Sequence, residues 1–119
     1  MTPHFTNEEL ACKCGCGMLP KPEFMAKIEK LRVAYGMPLK VTSAARCPDH
    51  NAKVSGTGRV GPHTTGRAID FAVERAQAHL LAKLAFEQGF TGVGFQQKGT
   101  GRFIHIDDLI DGRPAVWSY

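Results

Sequence analysis

Three residues could share one piece of chemistry: His63, Asp70 and His105. Two imidazoles and a carboxylate are a donor set for a catalytic zinc, which keeps three protein ligands and leaves a fourth position open for water. The first two lie in Gly61-Pro62-His63-Thr64-Thr65-Gly66-Arg67-Ala68-Ile69-Asp70-Phe71, the third in Phe103-Ile104-His105-Ile106-Asp107. Gly66 suits a tight turn after His63, and Arg67 to Val73 then reads as a strand. Ile69, Phe71 and Val73 share its apolar face. Asp70 sits on the other face between Ala68 and Ala72, whose small side chains leave room for an ion and a substrate. In the second stretch Ile104 and Ile106 point inward, while Phe103, His105 and Asp107 point the other way. A single His or Asp in a strand is ordinarily a hydrogen-bonded surface residue. The joint pattern, polar residues interrupting strands whose opposite faces are cleanly apolar, is what suggests a metal site.

The elements that must position these residues are legible around them. Pro22 to Tyr35 is the clearest helix, with Pro22 in its first turn, Glu23 favouring the N-terminal dipole and Gly36 as its stop. Phe24, Ile28, Leu31 and Tyr35 form one stripe, and Lys27, Lys30 and Arg32 read as a solvated face. Leu39, Val41 and Ser43 alternate as a strand leading to Arg46. Residues 52 to 62 read as a loop flanking the site. Glu74 to Gln88 reads as a second helix with Leu80, Leu81, Leu84 and Ala85 inward and His79 on the surface. Thr91 to Phe95 and the His105 strand pair as a hairpin around residues 97 to 101.

Residues 1 to 20 form an arm. Thr6 and Glu9 are spaced as a capping box, with Phe5 and Leu10 as anchors. Cys12, Cys14 and Cys16 follow in a Cys-x-Cys-x-Cys run, and Cys47 is the fourth cysteine. A structural zinc, a disulfide from the arm to Cys47, and reduced thiols are all compatible with that spacing, reduced thiols being the default for a cytoplasmic product.

At 119 residues the chain is one domain, 1–119. Its 43% hydrophobic and 22% charged content is that of ordinary globular material. No apolar run is long enough to span a membrane. The net charge of +4 is scattered, without a basic run or interleaved aromatics, which argues against nucleic-acid binding. Met1 to Leu10 is polar and acidic rather than basic and then apolar, so a product made in the cytoplasm without a signal peptide is expected.

The sequence resembles the M15 family of zinc peptidases, which includes D-alanyl-D-alanine carboxypeptidases and peptidoglycan endopeptidases of bacteria and phages. The matching residues are Ser43-Ala44-Ala45-Arg46-Cys47-Pro48-Asp49-His50-Asn51, His63-Thr64-Thr65-Gly66-Arg67-Ala68-Ile69-Asp70, Phe103-Ile104-His105-Ile106-Asp107 and the tail from Arg113 to Tyr119. The resemblance implies a hedgehog/DD-peptidase-like zinc fold: α+β, a small antiparallel sheet carrying Zn2+ on one face and helices on the other. It implies His63, Asp70 and His105 as ligands and Arg46 at the active site, where a guanidinium fork suits a substrate carboxylate. Many relatives carry an acid three positions before the last His ligand; here that position is Arg102, which cannot act as a base. Asp107 is the nearest substitute, as general base or as the group that orients a ligand His. Trp117 and Tyr119 read as core closure or as an aromatic wall. The function so implied is hydrolysis of a peptide bond in peptidoglycan stem peptides by a monomeric muralytic endopeptidase of phage type, acting on the bacterial cell wall after release through a holin or lysis. A D-alanyl-D-alanine carboxypeptidase, or a non-catalytic zinc-bearing wall-binding module, is the alternative.

Overall fold

In the computed structural model, which describes residues 1–119, the two stretches that hold the candidate ligands pair with each other. They are β2 (Ala68–Ala72) and β4 (Phe103–Asp107), antiparallel neighbours in a five-stranded sheet of order β1-β2-β4-β3-β5. β1 (Lys40–Ser43) flanks β2, and β3 (Gly92–Gln96) forms the expected hairpin with β4. β5 (Ala115–Ser118) adds to the far side of β3 in parallel. The α+β arrangement is the expected one, with this short parallel strand as an addition: its four residues carry no alternation strong enough to read alone.

Alternation sorts the sheet into two faces. Ile69, Phe71, Val93, Ile104 and Ile106 are all fully buried and belong to one apolar cluster. That cluster also takes in α2 (Pro22–Tyr35) and α4 (Arg75–Glu87). Helix α2 starts at Pro22 and ends on Gly36 at φ 77°, a left-handed conformation that glycine adopts without cost. Its buried stripe is Phe24, Met25, Ile28, Leu31 and Tyr35, and Phe24 meets Phe90 edge-on at 6.3 Å. Helix α4 is rotated relative to expectation. Ala78, Leu81, Ala82 and Ala85 are buried, while Leu80 and Leu84 flank the cluster partly exposed. Alanines at the contact let the helix approach closely, and the two leucines then cover its margins.

The arm is part of the core. α1 (Asn7–Leu10) is held by the capping box: the Glu9 amide donates to Thr6 Oγ1 at 3.3 Å and the Thr6 amide to Glu9 Oε1 at 2.9 Å. Phe5 and Leu10 are buried, and the Phe5 ring lies 5.8 Å from that of Phe71.

One local expectation is corrected. The stretch read as a loop over residues 52 to 62 begins inside a helix, α3 (Pro48–Val54). Pro48 opens this helix, and its cap is Cys47, whose Sγ accepts from the His50 amide at 3.4 Å. Cysteine is not among the usual capping residues, so the cap position carried no signal, and the start was marked only by Pro48 and Asp49 in the first turn. Lys27 is exposed, as expected of a solvated face, and its ammonium donates to Asp108 at 2.9 Å, while Arg67 grips the same carboxylate with Nε and Nη2 at 2.8 and 2.6 Å. No helix is long and apolar enough to cross a membrane.

Phe71 lies where sheet and arm share the core, so Phe71→Ala is expected to lower unfolding free energy by ~3–5 kcal/mol, read from the urea midpoint at unchanged m. A loss below ~1 kcal/mol would mean that the arm does not pack as described.

Candidate metal centre

The register of the sheet assembles the site. Asp70 on β2 lies directly opposite His105 on β4, and on β3 the residue opposite His105 is Gly94, itself paired with Trp117 on β5. Ser43 on β1 pairs with Asp70 on the other side. One row of cross-strand neighbours therefore holds Ser43, Asp70, His105, Gly94 and Trp117. His63 comes to this row from a 3-10 turn (Pro62–Thr65) that ends on Gly66 at φ 75°. Its ring stands edge-on to that of His105, with centroids 5.2 Å apart.

The free nitrogens are fixed by what the other nitrogens do. His63 Nδ1 lies 2.7 Å from the Ala44 carbonyl, which can only accept, so Nδ1 carries the proton and Nε2 faces Asp70 Oδ2 at 3.3 Å. His105 Nε2 lies 2.8 Å from Asp107 Oδ2, so Nε2 donates there and Nδ1 faces Asp70 Oδ1 at 3.0 Å. The three candidate ligand atoms all lie within 4.8 Å of one another. All three residues are buried, with Asp70 7% and His105 1% exposed. Two neutral nitrogens and a carboxylate converging from three elements fit a divalent ion that accepts mixed N and O donors, with room for a fourth ligand on the cleft side.

Asp107 occupies a more enclosed place than a base requires. It is completely buried. Arg113 clasps it with Nε to Oδ1 at 3.0 Å and Nη2 to Oδ2 at 2.7 Å, and the Leu109 amide adds a bond to Oδ1 at 3.3 Å. Of the two roles expected for Asp107, a general base would need an oxygen open to the cleft, and both oxygens are taken. The geometry gives it the orienting role. Arg102 is turned away as well, its Nε bonded to the Gly99 carbonyl at 2.9 Å.

Ion pairing governs the titration of this cluster. Burial pushes the Asp70 carboxyl up, but the hydrogen bonds and charges of His105 and His63 outweigh it and bring it down to about 2. Burial likewise raises Asp107, and His105 and Arg113 overcome that to bring it to about 2. For His105, burial favours the neutral ring, yet the two flanking carboxylates win and hold its pKa above the ordinary value. Before metal uptake, these depressed carboxylates stabilise the fold above their ordinary 3.8, and that contribution is lost as the pH falls toward about 2.

The donors open onto a cleft of about 430 Å3. Arg46 stands on its wall, between β1 and α3. Ser43 Oγ accepts from Arg46 Nε and Nη2 at 3.2 and 2.9 Å, and Asn51 Oδ1 accepts from Nη1 at 2.9 Å. No carboxylate neutralises this guanidinium. Asn51 is itself buried, donating to Thr57 Oγ1 at 2.8 Å and the Gly58 carbonyl at 2.6 Å. Trp117 and Tyr119 line the cleft, with the Trp117 ring 5.1 Å from His105 and under the Arg113 guanidinium at 4.9 Å. They form the aromatic wall rather than the core closure weighed against it: Tyr119 is 49% exposed.

Asn51 and Arg113 are contributors that sequence reasoning did not single out. Asn51 stood in a quoted motif, five residues from Arg46. Its role needed the turn of α3, which places it under the guanidinium. Arg113 depended on β5 folding back beside β3.

A family model described as Peptidase M15 matches residues 3–107. No curated protein matches the chain.

Asp70→Asn is expected to abolish binding of one divalent ion per chain, measured by elemental analysis after dialysis. Asp107→Asn keeps all three donors but replaces the charged acceptor with a neutral amide that holds the His105 proton less firmly, so affinity should fall ~10–100-fold in a chelator competition. Because His105 holds its proton to a higher pH than an ordinary histidine, metal uptake should release protons and weaken as the pH drops through that raised pKa. Calorimetry in buffers of different ionisation enthalpy reads this, and an absence of proton release would contradict the assignment of His105 Nδ1 as a ligand.

Proposed function

The chain belongs to the peptidase M15 family, and on that premise we propose that it is a zinc-dependent peptidase that cuts a peptide bond in the stem peptides of bacterial peptidoglycan, as a muralytic endopeptidase of phage type. The observation that carries this reading is a three-donor metal cradle and an unneutralised guanidinium facing one cleft. Zinc bound by His63, Asp70 and His105 supplies Lewis acidity, which makes water a nucleophile near neutral pH and polarises a scissile carbonyl.

The residues of the chain supply binding and orientation. Arg46 offers a two-pronged grip to a substrate carboxylate, and Ser43 and Asn51 hold the fork in place before substrate arrives, so little ordering is left to pay on binding. Trp117 and Tyr119 give the peptide a flat apolar wall. Asp107, backed by Arg113, keeps the His105 proton on Nε2 and the other nitrogen free. Asp70 is the only acidic residue on the cleft wall. On this reading the protein acts at the cell wall, whose anionic polymers attract its charge of +4.

Arg46 also favours a second reading. A C-terminal carboxylate is the simplest partner for an unpaired guanidinium, as a D-alanyl-D-alanine carboxypeptidase would provide.

Product analysis by mass spectrometry on defined muropeptides separates these readings. An endopeptidase gives chelator-sensitive cleavage at an internal bond. A carboxypeptidase releases one terminal residue. Binding to purified sacculi with no new amino groups would overturn the enzymatic reading in favour of a wall-binding module. Arg46→Lys keeps the charge and loses the fork, so kcat/KM should fall by roughly 10-fold or more; unchanged kinetics would remove Arg46 from the site.

A further inference from the structure

A second group of metal-ligating side chains lies outside the cleft, where the N-terminal arm meets the segment leaving β1. The sulfur ligand atoms of Cys12, Cys14, Cys16 and Cys47 all lie within 4.8 Å of one another. Cys12 Sγ is 3.4 Å from Cys14 Sγ, which is 3.5 Å from Cys47 Sγ. A tetrahedral four-sulfur zinc site with bonds of about 2.3 Å has sulfur–sulfur edges of about 3.8 Å. The thiols are thus already spaced as ligands around a common centre.

The backbone is folded about that centre. Gly15 and Gly17, at φ 87° and 86°, turn the chain after Cys14 and after Cys16, a conformation that residues with a Cβ rarely adopt. The Cys12 amide donates to the Met18 carbonyl at 2.9 Å and the Gly15 amide to the Cys12 carbonyl at 3.2 Å, closing the loop. Other amides are aimed at sulfur. The Cys47 N–H donates to Cys12 Sγ at 3.3 Å and the His50 N–H to Cys47 Sγ at 3.4 Å. Such donors favour thiolate over thiol, the form that binds metal.

We propose that Cys12, Cys14, Cys16 and Cys47 bind a second zinc ion in a closed, four-thiolate structural site. The site clasps the arm to the segment that carries Arg46. Cys47 follows Arg46 directly and caps α3, whose Asn51 bonds to Arg46. The Ala45 amide also donates to the Leu10 carbonyl at 3.2 Å, so arm and segment already touch at the backbone. Metal at this junction fixes both strands of the contact, and through Cys47 it stiffens the base of the guanidinium. The ion does no chemistry on substrate, and the proposal stands whether or not the His63 cradle supports turnover.

The test is metal stoichiometry of the full chain loaded with zinc under reducing conditions. Two ions per chain are expected, falling to one in Cys14→Ser/Cys16→Ser and to one in Asp70→Asn. Loading Asp70→Asn with cobalt should give the intense sulfur-to-cobalt charge-transfer band, which a nitrogen and oxygen site cannot produce. A parallel measurement needs no variant: zinc should protect the thiols of the wild-type chain from a thiol reagent, and chelator should remove that protection. Zinc content unchanged by Cys14→Ser/Cys16→Ser, a cobalt adduct of Asp70→Asn without the band, or a mass lighter by the hydrogens of a disulfide would each overturn the proposal.

Discussion

The pairing of Asp70 with His105 across adjacent antiparallel strands is the constraint on which the rest of the molecule depends. Side chains in a strand alternate with period two, so a slip of one residue would send either donor into the apolar core. What prevents the slip is the opposite face. Ile69, Phe71, Ile104 and Ile106 are fully buried against the helices, and a one-residue slip would expel them from the core. The same hydrophobic burial that stabilises the sheet thus places the polar donors side by side on its other face.

Holding several ionisable groups in an enclosed place costs several kcal/mol per ion unless each finds a partner. Here they form a continuous chain of complementary contacts: the Ala44 carbonyl, His63, Asp70, His105, Asp107 and Arg113. Each member decides the state of the next. Asp107 and the Ala44 carbonyl each fix a proton on the outer nitrogen of an imidazole, and so leave the inner nitrogens to face Asp70. Arg46 is the exception, since its hydrogen bonds go to the neutral oxygens of Ser43 and Asn51 and its charge is left for the cleft.

Much of this was legible in the sequence, and the reasons are local. The strands of Asp70 and His105 alternate cleanly, α2 carries its stop in Gly36, and Thr6 and Glu9 announce the first turn of α1. What was not legible depends on pairing at a distance. β5 is a strand because β3 offers it an edge, and Arg113 reaches Asp107 only once that strand has folded back. Helix α3 begins on a sulfur cap, which is not a usual capping residue, so only Pro48 and Asp49 marked its start. The rotation of α4 was set by how near the alanines let it approach, a property of the packed pair rather than of its own sequence. Asp107 was correctly placed on the face of His105, but its alternation could not reveal that Arg113 would enclose it.

Two glycines of β3 bear on how such a site is to be interrogated. A methyl group at Gly94 would stand 2.5 Å from the Trp117 indole nitrogen, and one at Gly92 would stand 2.5 Å from Arg113 Nε and would strike the Asp107 carboxylate. The strand shapes its surroundings by withholding side chains: bare backbone at one position admits the indole, and at the other admits the guanidinium. A survey that trims every residue to alanine would treat both positions as trivial, although there alanine is an addition. The informative perturbation along this strand is gain of volume, and the sculpting of the floor becomes visible only to experiments that fill it.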